Sequence, residues 1–428
     1  MRFVLMSVCL LLFLPSSGIS GDWLITELDN GLKVMILENH QVPQVNISTT
    51  IKVGAKNETD FFDGATHLLE HLILFRGTEK MTGEEVGEAM KSHGAYFNGY
   101  TSSDWTDFVI SLPRENLEFA LGIHADMLFR SNFPEVEMNK ERQAVLEEIN
   151  ISEDNPSSKA YRSSLKILFE GHPYSKNVLG TKERVANIPR DSIYAYYKRY
   201  YAPNNMTMVM VGDLDAEEAL ALVEKYFADF PRGSVPEDNY KLPMKRDKVA
   251  QIEIERDIDQ AYLLMSSIGP RADSPKQFPL DIMASIIGDG ESSRLWKKLK
   301  DELGLVYSIS FFFETNKYEG ILASFATLDP ADIPAVEKAV NEVLNDIKEN
   351  GFTERELRKA KNKIKTAHYI SMERGLDIAD KYSEYDSFIG YQFVDNYPDN
   401  IEKTTLAELN AAAREYLNTD SYVKTMVV

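Results

Sequence analysis

Two histidines and a glutamate in the run HLLEH, at His67, Glu70 and His71, have the types and spacing to hold a small cation and do chemistry beside it. Positions four apart share one face of a helix, so the imidazoles of His67 and His71 can reach a single ion. Glu70 stands between them, close enough to take a proton from a water on that ion. A hydrolytic zinc site ordinarily takes three protein ligands and keeps a fourth position for water. The third must come from elsewhere in the chain. His40, His93, His124 and His172 are candidates, and so are carboxylates of the stretch EVEMNKERQAVLEEIN after Pro134. There Glu141, Glu147 and Glu148 are available, and Glu141 and Glu148, seven apart, share a helical face.

These residues need a frame to position them. Strand-like alternation runs through WLITEL, LKVMILEN and VNISTTIKVG, so three strands precede the HLLEH helix. Thr82 and Glu85 form a capping-box pattern for a helix to about Ser92. Tyr96 to Thr101 and Asp107 to Leu112 read as two further strands, Glu115 to Arg130 as a helix, and NNMTMVMVG as a buried strand. Residues 231–245, PRGSVPEDNYKLPMK, carry three prolines and a glycine and are the best linker. After them the order resumes with strands QIEIE, AYLLMSSIG, LVYSISFFFE, GILASFATL and a final YVKTMVV. Gly94 and Gly304 each begin a strand pair followed by a helix, and Tyr200 and Tyr416 each precede a terminal strand. Offsets of about 210 and 216 predict duplication of an α+β unit of roughly two hundred residues. The second copy lacks the metal helix, since 281–295 holds no histidine and His368 is the only one after the linker.

The length, 428 residues, exceeds one ordinary core, and 43% apolar content supports compact folding. A net charge of −20 and a pI near 4.9 argue against a nucleic-acid partner, which requires a basic field. Residues 1–20 combine Arg2, an apolar run from Phe3 to Leu14 and a small polar end, the pattern of a signal peptide cleaved before Gly21. Export to the periplasm is expected, with full secretion as the other possibility, and without a stable membrane anchor after cleavage. Cys9 is the only cysteine and lies in that segment, so the mature chain forms no disulfide. Sequons at Asn46, Asn57, Asn150 and Asn205 matter only in a glycosylating host.

GATHLLEHLILFRGT resembles the metal helix of the pitrilysin and mitochondrial processing peptidase family of zinc peptidases, whose inverzincin order reverses HExxH. That family takes its third ligand from a glutamate 76 or 77 residues after the second His, at the end of a segment like ERxxVxxE. Here ERQAVLEE ends at Glu148, 77 residues after His71. The resemblance therefore implies Glu148 as ligand and Glu141 as the partner orienting a ligating imidazole, with Glu147 the nearest competitor. GAYFNGYTSSDWTDF is similar to the segment holding the family's substrate-binding edge strand, centred on Phe97, Asn98 and Gly99, although Ala usually follows the Asn. GHPYSKNVLGTKE and GESSRLWKKLKDELGLVYS also look like family segments, so the resemblance runs from Trp23 to Val428.

What it implies is two tandem homologous α+β domains, each an antiparallel or mixed sheet with helices on one face, as in short two-domain bacterial members. Residues 21–230 would be catalytic and 246–428 a non-catalytic homologue for substrate binding or assembly. The implied activity is that of a zinc endopeptidase, one Zn²⁺ per chain, with Glu70 as general base on peptides or unfolded segments. The alternative is a non-catalytic structural or peptide-binding subunit; a periplasmic metal-binding protein is a third. An Arg and a Tyr seven residues apart bind the substrate carbonyl in the family's second half. Tyr307 matches the Tyr, but Lys300 stands where the Arg is expected and lacks its bidentate fork. Active family chains that lack this pair receive it from a partner, so a dimer is expected, with an inactive paralogue carrying Arg and Tyr or with a second copy of this chain.

Overall fold

The computed structural model describes residues 22–59, 62–243 and 247–428; the expected signal segment lies outside the described residues. Alternating and β-branched runs form eleven strands among them. In the first half these are β1 (Leu24–Glu27), β2 (Lys33–Glu38), β3 (Gln44–Ile51), β4 (Tyr96–Thr101), β5 (Thr106–Pro113) and β6 (Met206–Gly212). In the second they are β7 (Ala250–Ile254), β8 (Ala261–Ile268), β9 (Ser308–Glu314), β10 (Ile321–Leu328) and β11 (Val423–Val427). The sheet orders are β1-β2-β6-β3-β5-β4 and β7-β11-β8-β10-β9. Each sheet has one parallel pair, β2 with β6 and β7 with β11, and is otherwise antiparallel. Without β1 the two orders correspond strand for strand, which is the duplication expected from the offsets.

Two compact units are present, and neither is one continuous block of chain. One takes the chain through Leu146, then Val178–Asp238 and Ser371–Asp395; the other takes Glu147–Asn177, Asn239–Ile370 and Asn396–Val428. The halves have exchanged helices. Helix Pro156–Leu168 packs on β8 and β11 of the second sheet, while helix Gly375–Phe388 packs on β3 and β6 of the first. This corrects the expectation of helices on one face only: both faces of each sheet are covered. In β3, Ile47 and Thr49 point to one side and Ser48 to the other, and all three are buried. The second cover comes from the other half of the sequence, which periodicity within one half does not reveal. The same exchange separates the units from the continuous division 21–230 and 246–428; residues 231–243 of the linker carry neither helix nor strand.

The two faces of the first sheet differ in chemistry. The side lined by Ile36, Ile47, Ile51, Phe108, Ile110, Met208 and Met210 is apolar and buried. The side under helix Gly375–Phe388 is polar where β3 meets β5. There Ser48 and Thr50 each donate to Asp107 at 2.8 Å, Thr50 also reaches Ser383 at 2.9 Å, and Thr207 donates to Asp386 at 2.8 Å. Lys33 closes the row as an ion pair with Asp386. Buried polar groups cost free energy unless bonded, so these partners are what makes such an interface tolerable. Burial, with the Asp380 carboxylate beside it, pushes Asp107 well above the usual carboxylate range.

Helix Leu117–Phe129 places His124 against the apolar face, its Nε2 2.9 Å from the Thr49 hydroxyl. Burial pushes His124 from 6.5 down to about 3. Between those values the unfolded chain binds a proton that the folded chain refuses, so stability falls as pH drops through that window. The contribution is about 1.4 kcal/mol per pH unit. Urea unfolding of His124→Gln at pH 6, 5 and 4 should show the parent's slope against pH reduced by that amount; an unchanged slope would refute the assignment.

Candidate metal centre

Helix Ala65–Phe75 carries all three residues of the HLLEH motif. It is entered through Gly64, whose φ of 87° lies in the left-handed region. A Cβ there would meet Leu179 O at 2.8 Å and Val185 Cγ2 at 2.7 Å, so glycine is required twice over. The first turn is capped by Glu58, whose carboxylate accepts from Gly64 N at 2.8 Å and Thr66 N at 2.7 Å. Burial pushes Glu58 up to about 8 against the pull of those two amides. Leu68, Leu69, Leu72 and Ile73 bury the rest of the helix. His67, Glu70 and His71 are themselves buried, 9%, 5% and 8% exposed, so the motif is not a solvated surface.

The helix Glu135–Asp154 carries Glu141 and Glu148 on one face. It brings Glu148 to the histidines. One ligand atom from each of His67, His71 and Glu148 lies within 4.8 Å of the others, the one such group of three among the described residues. Two imidazole nitrogens and one carboxylate oxygen at that spacing suit Zn²⁺ with a fourth position left over. Glu147 is exposed and accepts from Asn150 at 3.0 Å. The other histidines are engaged elsewhere: His40 with Asp213 at 2.6 Å, His93 stacked on Phe119, His124 on Thr49, and His172 with Tyr174 N at 3.2 Å.

Glu141, one face-repeat earlier on the helix, is buried and its Oε2 lies 2.9 Å from His71 Nδ1. With Nδ1–H donated there, His71 presents Nε2 to an ion. Arg76, which the sequence reading missed, pairs with the other Glu141 oxygen and with Glu137 at 3.1 Å. It sits one turn past His71, and its charge holds Glu141 as an acceptor. Thr101 was missed too: its hydroxyl donates to Glu70 Oε2 at 2.8 Å.

Of the expected substrate-binding residues, Phe97, Asn98 and Gly99 lie on β4, the last strand of its sheet. Alternation puts Phe97 and Gly99 toward the metal helix and Asn98 on the opposite side with Tyr96 and Tyr100. Lys300 and Tyr307 belong to the second unit. Lys300 donates to the Tyr307 backbone carbonyl and lies 4.9 Å from the Trp296 ring centre, while the Tyr307 side chain is exposed.

A duplicated α+β frame in which the first copy alone carries an HxxEH helix, completed by a distant glutamate, defines a pitrilysin-type chain. Residues 33–182 match the family described as "Insulinase (Peptidase family M16)" and residues 187–364 the "Peptidase M16 inactive domain". The chain belongs to peptidase family M16. It is 25% identical over 399 residues to a Bacillus subtilis protein described as "Uncharacterized zinc protease YmxG", covering 93% of this chain and 96% of that one. A protease from Helicobacter pylori shares the fold at TM-score 0.90 and 24% identity, over 95% of this chain and 99% of that one. The periplasmic protease PqqL from Escherichia coli does so at TM-score 0.79 and 22% identity, over 97% of this chain but 48% of that one.

Proposed function

We propose that the chain is a zinc endopeptidase acting on peptides or unfolded segments. The observation that carries this is the grouping of the buried His67 and His71 with the half-buried Glu148, and of Glu70 on the helix of the two histidines. Zinc bound by these three residues would supply a Lewis acid for the scissile carbonyl and lower the pKa of water toward about 7. Glu141 fixes the His71 ring, and Arg76 fixes Glu141. Glu70 takes the proton of the attacking water and later delivers it to the leaving amine. β4, as an edge strand, offers its backbone to an extended peptide and sends alternate side chains to either side.

The test is removal of the metal. Purified chain should carry one zinc, lose cleavage of a quenched peptide on chelation, and regain it with one equivalent of Zn²⁺. Cleavage that persists in metal-free protein would sink the proposal. Zinc bound without cleavage, with or without a partner, would favour the non-catalytic reading that the "inactive domain" match of residues 187–364 keeps in view.

We place the protein outside the cytoplasm, most simply in the periplasm, on the pattern of residues 1–20. We also propose that it works paired with a second family chain, an inactive paralogue carrying Arg and Tyr or a copy of itself. Lys300 at the Arg position supports that pairing, as does PqqL, of which this chain spans about half.

A further inference from the structure

We propose that β4 is also the strand that aims the base, through the Thr101 hydroxyl on Glu70. This rests on the reading of Glu70 as the general base. Thr101 and Gly99 are two apart on β4 and so face the metal helix together. The Thr101 hydroxyl donates to Glu70 Oε2 at 2.8 Å. At Gly99 a Cβ would stand 2.9 Å from Glu70 Cγ, 3.0 Å from its Oε1 and 2.9 Å from Leu74 Cδ1. The strand backbone therefore closes on the carboxylate at one point and holds it by a bond at the next.

The glutamate side chain has three rotatable bonds and is 5% exposed, so its direction is set by what it touches. Thr101 fixes one oxygen. A peptide that pairs with β4 adds to the same strand that carries the hydroxyl holding the base. Thr101 thus acts as a positioning residue: it touches Glu70 and not the reacting atoms. Productive pairing of a substrate along β4 and productive aim of the base become one event, which favours substrates that enter as an extended strand. Tyr96, Asn98 and Tyr100 lie on the other side of β4, so side-chain preference can vary there without disturbing Glu70.

Thr101→Val keeps the shape and removes the donor; Thr101→Ser keeps the donor. In the zinc-loaded full chain, Thr101→Val should lower kcat about tenfold with KM, zinc content and melting temperature unchanged, and Thr101→Ser should stay within about twofold of the parent. Crystal structures of the parent and the two Thr101 variants supply a readout that needs no turnover: Glu70 should keep its rotamer in the parent and Thr101→Ser and leave it in Thr101→Val. A parent that binds zinc but cleaves nothing would defeat the peptidase reading, and the rotamers would still decide the positioning. A Glu70 that stays in place in Thr101→Val, a kcat that does not fall, or an equal loss in Thr101→Ser overturns the inference.

Discussion

Glu70→Gln should bind zinc as the parent does and cleave a quenched peptide about a thousandfold more slowly, within the range that positioned general bases contribute. The substitution is nearly isosteric. The amide still offers an oxygen to the Thr101 hydroxyl, so the helix and β4 keep their spacing. None of His67, His71 or Glu148 is touched, and the network behind His71 through Glu141 and Arg76 remains. What disappears is the basic oxygen that accepts a proton. Zinc content by elemental analysis and turnover by fluorescence separate the two functions in one preparation. Parent-level turnover in this variant would remove Glu70 from the mechanism.

A second large effect is expected at position 148, with position 147 as its control. Glu148→Gln exchanges a carboxylate oxygen for an amide oxygen in the one group of three candidate ligands found among the described residues. Residues that merely orient a ligand cost ten- to a hundredfold in metal affinity when changed, so a ligand itself should cost at least about a hundredfold. Glu147→Gln should cost nothing, because Glu147 is exposed and bonded to Asn150. Competition with a chromophoric chelator measures both. Equal affinities for the two variants, or a loss at 147 and none at 148, would reassign the third ligand.

The site was legible in the sequence to the extent that it is local or helical. His67, Glu70 and His71 lie within five residues, and Glu141 and Glu148 keep the seven-residue repeat that puts them on one face. Choosing Glu148 over Glu147 needed the resemblance, since spacing from a distant helix cannot tell neighbours apart; the structure groups Glu148 with the two histidines and leaves Glu147 exposed. Thr101, Arg76 and Glu58 were not legible. Each acts across a gap that only tertiary packing closes, and each type is common in strands and loops without such a role. A capping Glu six residues ahead of a glycine-entered helix left a faint signal, while the Thr101 hydroxyl left none. For the fold, the strands and their duplication followed from alternation and the repeat, while the sheet order came only with the structure. The helix exchange did not, because a helix of ordinary amphipathic pattern does not state which sheet it covers.

That exchange also sets a timetable. Lys33 and its partner Asp386 are 353 residues apart, and β3 waits for Ser383. At ~5–20 residues per second, roughly ten to forty seconds of synthesis separate completion of the first sheet's last strand from the arrival of its cover. A bare apolar sheet held that long in water would invite aggregation. Where β3 meets β5 the uncovered side presents Asn46, Ser48, Thr50, Asp107 and Ser111, groups that water satisfies until the helix replaces it, so the apolar area left waiting is confined to Met35, Leu37, Val209 and Val211 on β2 and β6.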